Sequence, residues 1–187
     1  EIFEQPDTIA HCLSSVCNEE EIFSEEIKDL FSNLPNSITI LASGTSFYAG
    51  MVGKYWIEKM ANIQVNVEIS SEYRYRSPYQ DLKGLVIVIS QSGESIDTLM
   101  AMRHASKVGI KTLSIVNNKG STIDRESDIS LYIKAGPEIA VASTKCFTGQ
   151  LSLLLCISMF LAEKNNIVLN DLEDLRKNIF KLPGSIA

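Results

Sequence analysis

The sequence predicts an α/β fold in which a doubly wound, mostly parallel sheet is flanked by helices. Short apolar segments with strand character alternate with helical stretches along most of the chain, a pattern typical of βαβ units. Residues 85–89 form a run of five aliphatic residues, four of them β-branched, which suits a strand buried on both faces. Turns rich in serine and glycine follow two of the predicted strands and open helices, as loops do at the carboxyl ends of a parallel sheet.

The order of elements follows from these patterns. Strands are predicted at residues 38–42, 64–69, 85–89, 112–116 and 129–133. Helices are predicted at residues 47–61, directly after the turn at residues 90–94, at 143–162 and at 170–181. Gly136 and Pro137 interrupt the chain between the last strand and the long apolar helix, because neither residue continues a regular element easily.

We expect three regions along the chain: an N-terminal helical segment at 1–35, the α/β domain at 36–165, and a C-terminal helix with the start of a linker at 166–187. In the first region, the apolar residues between Ile22 and Phe31 have helical spacing, which predicts one helix across them. Pro35 ends that helix.

Composition excludes several classes of protein. The 187 residues carry 17 Lys and Arg against 23 Asp and Glu, a net charge of −6 with no basic run, so nucleic acid is not an expected partner. The four cysteines form no C-x-x-C pair and there are two histidines, so we expect no metal site and no cofactor, and free thiols typical of the cytoplasm. The most apolar stretch, residues 151–162, is too short for a membrane span.

Three hydroxyl-rich segments are the candidate binding elements. They are Ser43-Gly44-Thr45-Ser46, Ser90-Gln91-Ser92-Gly93 and Ala142-Ser143-Thr144. Backbone N–H groups at a helix start, together with hydroxyls, can hold a phosphate without lysine. The simpler alternative is that each hydroxyl only caps its helix. A dinucleotide site is disfavoured because neither glycine-containing turn has the G-x-G-x-x-G spacing.

Two acidic residues could add chemistry to these turns. Glu94 lies at the start of the helix after the second turn, where a glutamate usually only favours the helix dipole. Glu138 lies beside the Gly-Pro break and close to Ser143, and is the stronger candidate for a functional role.

Four segments give a resemblance to a known family. They read A-S-G-T-S from residue 42, S-S-E-Y-R-Y-R from residue 70, S-Q-S-G-E-S-I-D-T from residue 90 and E-I-A-V-A-S-T-K from residue 138. Together they resemble the first sugar-isomerase (SIS) half-domain of the glutamine–fructose-6-phosphate aminotransferases. The opening E-I-F-E-Q-P resembles the segment that follows the glutaminase domain of that family.

The resemblance implies a flavodoxin-like three-layer sandwich and a sugar-phosphate site. The residues that it places at the substrate are Thr45, Ser46, Ser90, Gln91, Ser92, Ser95, Val141 and Ser143, with Ser43, Gly44, Gly93, Glu138 and Ala142 in support. Ser43 stands where most members have cysteine, and Ser95 where threonine is usual, so both keep a polar side chain.

The family makes glucosamine 6-phosphate from fructose 6-phosphate and glutamine. Its catalytic lysine, glutamate and histidine lie in the second SIS half or the C-terminal tail, so the resemblance implies no catalytic residue in this chain. It implies partners in a glutaminase domain and a second SIS half of the same protein, and a homodimer, for which we expect an apolar face near Tyr73 and Tyr75. A non-catalytic regulator that senses sugar phosphates remains the alternative.

Overall fold

The computed structural model describes residues 1–17, 22–23, 25–76, 81–167 and 172–187. Its strands are β1 (Ser37–Ala42), β2 (Gln64–Ile69), β3 (Leu85–Ser90), β4 (Lys111–Val116) and β5 (Ile129–Tyr132). Its α-helices are α1 (Gln5–Ser14), α2 (Glu25–Leu30), α3 (Gly44–Ala61), α4 (Ser70–Tyr73), α5 (Ile96–Lys107), α6 (Thr122–Glu126), α7 (Lys145–Lys164), α8 (Leu172–Ile179) and α9 (Leu182–Ile186). A short 3₁₀ turn, Ile2–Glu4, precedes α1.

The five strands form one parallel sheet in the order β2-β1-β3-β4-β5. The chain moves outward from β1 to β2 and then returns to β3 on the other side of β1. The sheet order therefore reverses between β1 and β3, which is the place where open parallel sheets bind ligands at their carboxyl ends. The predicted doubly wound α/β fold is confirmed.

Helices cover both faces of the sheet. On one face α1, α3 and α7 pack against the larger of two apolar clusters, which includes Ile40, Ile87 and Ile115. On the other face α4, α5 and α6 enclose a smaller cluster, which includes Val86, Val88 and Met102. All six residues of β3 are buried, as the aliphatic run predicts for a central strand covered on both sides.

Helix α7 is the main helix of the larger cluster. It is long and apolar enough to cross a membrane by length and composition, yet 72% of its most apolar 18-residue stretch is buried inside the protein. Gly149 lets this helix approach the end of the sheet, because a Cβ at that position would lie 2.4 Å from Cγ2 of Ile133. These observations identify α7 as the central packing helix of the domain.

The single helix expected between Ile22 and Phe31 is wrong. Ile22 forms an isolated antiparallel bridge with Cys17, Phe23 has a φ of 74°, and the helix begins only at Glu25. Phe23 and Phe31 both pack edge-on against Phe160, with ring centroids 5.4 Å apart in each pair. The apolar repeat therefore reflects burial against α7 rather than one continuous helix.

Other boundaries shift by a few residues. Helix α3 begins at Gly44 rather than residue 47, so Thr45 and Ser46 lie in its first turn. Helix α7 begins at Lys145 rather than residue 143. The last predicted helix, 170–181, appears as α8 and α9, and its first two residues lie outside the described part of the chain.

Candidate functional site

A cavity of about 170 Å³ opens at the carboxyl ends of β1 and β3, where the sheet order reverses. All eight residues that the resemblance places at the substrate line it. They are Thr45, Ser46, Ser90, Gln91, Ser92, Ser95, Val141 and Ser143. Three of the five supporting residues, Ser43, Gly44 and Glu138, line it as well.

The first wall of the cavity is the start of α3. Ser43 precedes this helix with an extended backbone, and its side chain makes no capping hydrogen bond. The simple capping role that the sequence left open is therefore not what Ser43 does. Since the first N–H groups of a helix have no intrahelical acceptor, those of the first turn of α3 remain available beside the cavity. Ser46 is buried there, and its Oγ accepts a hydrogen bond from Nε2 of Gln150 at 3.0 Å.

The second wall is the turn between β3 and α5. Oγ of Ser90 accepts the backbone N–H of Gly93, and Oγ of Ser92 accepts the backbone N–H of Glu94, both at 3.1 Å. Each of these hydroxyls therefore accepts one hydrogen bond from the protein and keeps its own proton to donate. Within the described residues, no acceptor is found for the hydroxyl protons of Ser46, Ser90 or Ser92.

The third wall is the segment before α7, and Glu138 organises it. Its carboxylate accepts hydrogen bonds from Oγ of Ser143 at 2.7 Å and from the backbone N–H groups of Thr144 at 2.9 Å and Cys146 at 3.2 Å. Burial alone would raise the pKa of Glu138, but these donors together hold that pKa below its ordinary value. Glu138 is therefore an ionised cap of α7. Val141 projects from the same segment and is fully exposed at the rim.

Two supporting residues do not line the cavity. Gly93, in the second turn, faces Ser121, and Ala142 is exposed. Glu94 also points elsewhere, because its carboxylate accepts the backbone N–H of Thr122 at 2.7 Å, and this bond lowers its pKa. It therefore ties the second turn to α6 rather than serving as a base.

Sequence reasoning missed four residues of the site. Ile89, Thr98 and Ala140 line the cavity, and Gln150 lies behind Ser46. Oγ1 of Thr98 lies 3.1 Å from Oγ of Ser70 and 3.3 Å from Oγ of Ser95, so it links α4 to the start of α5. Thr98 was within reach of prediction, since it closes the S-Q-S-G-E-S-I-D-T segment. Gln150 carried no local signal beyond a polar residue in an apolar helix.

The groups of the cavity that remain free to bind a ligand are mainly neutral hydrogen-bond donors. Among the described residues that line it there is no Lys or Arg, and Glu138 already accepts three hydrogen bonds. Serine protons and helix N-termini together favour an anion or the oxygens of a sugar. In the described ranges, no group of three or more His, Cys, Asp or Glu side chains could hold a metal ion.

A larger cavity of about 500 Å³ runs beside the edge strand β5. Its carboxylates already accept hydrogen bonds: Oη of Tyr132 donates to Asp124 at 2.9 Å, and the backbone N–H and hydroxyl of Thr112 donate to Asp128. Lys119 and Lys134 also line this cavity, and the ammonium of Lys119 lies 5.8 Å from the centroid of the Tyr132 ring. The smaller cavity lies where the sheet order reverses, and three serine hydroxyls there keep their protons for a ligand, so it is the better candidate for a ligand site.

Known proteins resemble this chain over its whole length. It is 43% identical over 190 residues to the glutamine–fructose-6-phosphate aminotransferase (isomerizing) of Leifsonia xyli, and 44% identical over 191 residues to that of Neisseria meningitidis. Both comparisons cover 100% of this chain and 31% of the relative, so the chain spans under a third of these proteins.

The fold and the family model agree with this similarity. The C-terminal domain of glucosamine-fructose-6-phosphate aminotransferase from Francisella tularensis superposes with a TM-score of 0.91 at 38% identity, over 98% of this chain and 52% of that one. The SIS domain family model matches residues 33–159, which include all three walls of the cavity. The chain therefore belongs to the SIS domain family.

Proposed function

We propose that this chain is the sugar-phosphate-binding half of the isomerase domain of an enzyme that makes glucosamine 6-phosphate from fructose 6-phosphate and glutamine. One observation carries the proposal. Ser46, Ser90 and Ser92 each accept a hydrogen bond from an N–H group of the protein, so their own hydroxyl protons are left for a ligand where the sheet order reverses between β1 and β3. Such a donor array suits a phosphate, and the rim hydroxyls suit a sugar.

Within this site, the second turn and the start of α5 hold the phosphate, together with the start of α3. Val141 and Ser143 lie toward the reactive end of the sugar. Glu138 supports them by fixing the segment that carries both. The site needs no metal or cofactor for binding, because the protein's own N–H and O–H groups supply the donors.

Replacing Ser92 and Ser95 together with alanine tests the phosphate cradle. We expect affinity for fructose 6-phosphate to fall at least about tenfold, since hydrogen bonds to a charged group contribute roughly 1.5–3 kcal/mol each. Isothermal titration calorimetry measures it. Ser106→Ala, at the exposed far end of α5, is the matched control and should bind normally. Unchanged affinity in the double variant would show that the phosphate does not bind at this turn.

The rest of the protein is part of the same proposal. The chain spans 31% of its relatives, and we infer that residues 1–35 follow a glutaminase domain, that 36–165 form the first SIS half, and that 166–187 lead to a second SIS half with the catalytic groups. A non-catalytic sugar-phosphate regulator would use the same hydroxyls. Relatives with 43–44% identity are named as aminotransferases, which favours the enzyme. We place it in the cytoplasm.

We also propose a homodimer, but one that uses a different surface from the expected apolar face near Tyr73 and Tyr75. Tyr73 is buried, with 3% exposure, so the expected apolar face near Tyr73 and Tyr75 is wrong in that half. Three exposed apolar side chains belong instead to the segments that form the cavity: Val141 lines it, and Ile96 and Ile139 are next in sequence to lining residues. Exposed apolar surface favours association. Light scattering on the purified chain should give a dimer. A mass near 20.7 kDa at high concentration would contradict this.

A further inference from the structure

Gln150 has an unusual position behind the cavity. It lies on α7 and is completely buried. Its Nε2 donates to Oγ of Ser46 at 3.0 Å, across 104 residues of sequence. Its Oε1 has no hydrogen-bond partner among the described residues. A buried amide whose carbonyl oxygen has no hydrogen-bond partner needs an explanation.

Stability does not supply that explanation. The buried neighbours of Gln150 along α7 include Leu153 and Leu154, so an aliphatic side chain would suit this environment. An unpaired buried carbonyl oxygen destabilises the folded state, whereas an apolar side chain of similar length removes that cost. Residues that lower stability in this way are commonly kept for function.

The bond to Ser46 gives the functional explanation. A hydroxyl that accepts an N–H is turned so that its own proton points away from that donor. Ser46 lines the cavity, and no acceptor for its proton lies within the described residues. Ser90 and Ser92 are arranged in the same way by the backbone N–H groups of Gly93 and Glu94. The side chain of Gln150 therefore orients a hydroxyl at the start of α3, as backbone N–H groups orient the hydroxyls of the second turn.

We propose that Gln150 is a positioning residue that orients the Ser46 hydroxyl as a hydrogen-bond donor to the bound sugar phosphate. This rests on the proposed function. Gln150 does not line the cavity, so its effect on the ligand passes through Ser46. Two consequences separate this role from packing: its loss weakens binding without lowering stability, and its loss has no effect once the Ser46 hydroxyl is gone.

A double-mutant cycle tests the second consequence. Gln150→Met, with Gln150→Leu as an alternative of different shape, is combined with Ser46→Ala, and affinity for fructose 6-phosphate is measured by calorimetry. We expect each single variant to bind about five- to tenfold more weakly, as for the loss of one hydrogen bond. The double variant should bind as Ser46→Ala does, with no further loss. Thermal unfolding of at least one Gln150 variant should occur at the wild-type temperature or above.

Ser158→Ala is the matched control. Ser158 is also a fully buried polar residue of α7, but its Oγ bonds to the carbonyl of Leu154 and it does not line the cavity. It should leave affinity unchanged. Additive losses of affinity in the double variant, or normal affinity in both Gln150 variants, would overturn the positioning role of Gln150. The proposed function would stand in either case if the wild type binds fructose 6-phosphate. Absence of fructose 6-phosphate binding by the wild type would overturn both.

Discussion

Gly93→Ala is expected to abolish measurable sugar-phosphate binding and to destabilise the domain. Gly93 has a φ of 68°, and a Cβ there would lie 2.0 Å from Oγ and 2.5 Å from Cβ of Ser121. The left-handed conformation costs about 1–2 kcal/mol for a residue with a Cβ, and the overlap adds roughly 1–3 kcal/mol. The turn can relieve the overlap only by moving off α6, and this carries Ser90 and Ser92 away from the ligand.

Two variants separate the overlap from the backbone strain. Gly109→Ala has the same kind of strain, with a φ of 88°, but its Cβ would meet nothing within 4 Å, so it should lose only the strain energy and keep full affinity. Ser121→Gly, added to Gly93→Ala, removes the clashing atoms and should restore most of the binding. Calorimetry and thermal unfolding measure both effects. Normal binding by Gly93→Ala would show that the turn does not depend on this contact.

The strands could be predicted because each has a characteristic pattern of apolar residues within its own short segment. The run at residues 85–89 indicates a doubly covered strand, and β3 is buried throughout. The error between Ile22 and Phe31 arose because helical spacing and burial against a distant residue, Phe160, produce the same apolar pattern. Local sequence patterns do not give the strand order either, and it is this order that brings the turns after β1 and β3 together.

The candidate site also has features that local sequence predicts and features that depend on the fold. Its hydroxyl-rich turns could be found from local sequence, since they follow strands and open helices. The contacts that give these turns their shape join residues far apart in the chain: Gln150 with Ser46, and Ser121 with Gly93. No local pattern predicts such pairs, because each depends on how α7 and α6 pack against the sheet. Sequence therefore identifies which residues can donate, and the fold determines which protons remain unused.

The purified 187-residue chain is expected to make no glucosamine 6-phosphate, with either glutamine or ammonium as nitrogen donor. Imine formation needs an activated amine, and Lys145 is the lysine nearest the site in sequence. Its side chain is 2% exposed and does not line the cavity, and its ammonium lies 2.6 Å from a carboxylate oxygen of Glu4 and 3.4 Å from one of Glu1. The hydrogen bond that this ammonium donates to Glu4 raises the pKa of Lys145 above its ordinary value, so the amine stays protonated and is not a nucleophile.

The described residues of the cavity offer no suitable base for proton transfer between C1 and C2 of the sugar either. A base for this step needs a pKa near the working pH and direct contact with the substrate protons. Glu138 is the carboxylate among the described cavity residues, and its pKa is held low by the hydroxyl of Ser143 and two backbone N–H groups. The hydroxyls can position the sugar phosphate, but positioning without an acid–base group leaves the proton-transfer barrier in place.

A coupled assay for glucosamine 6-phosphate, run under conditions where calorimetry shows the substrate bound, should therefore give no signal. Turnover that disappears in Lys145→Ala or Glu138→Gln would mean that this chain carries catalytic groups itself.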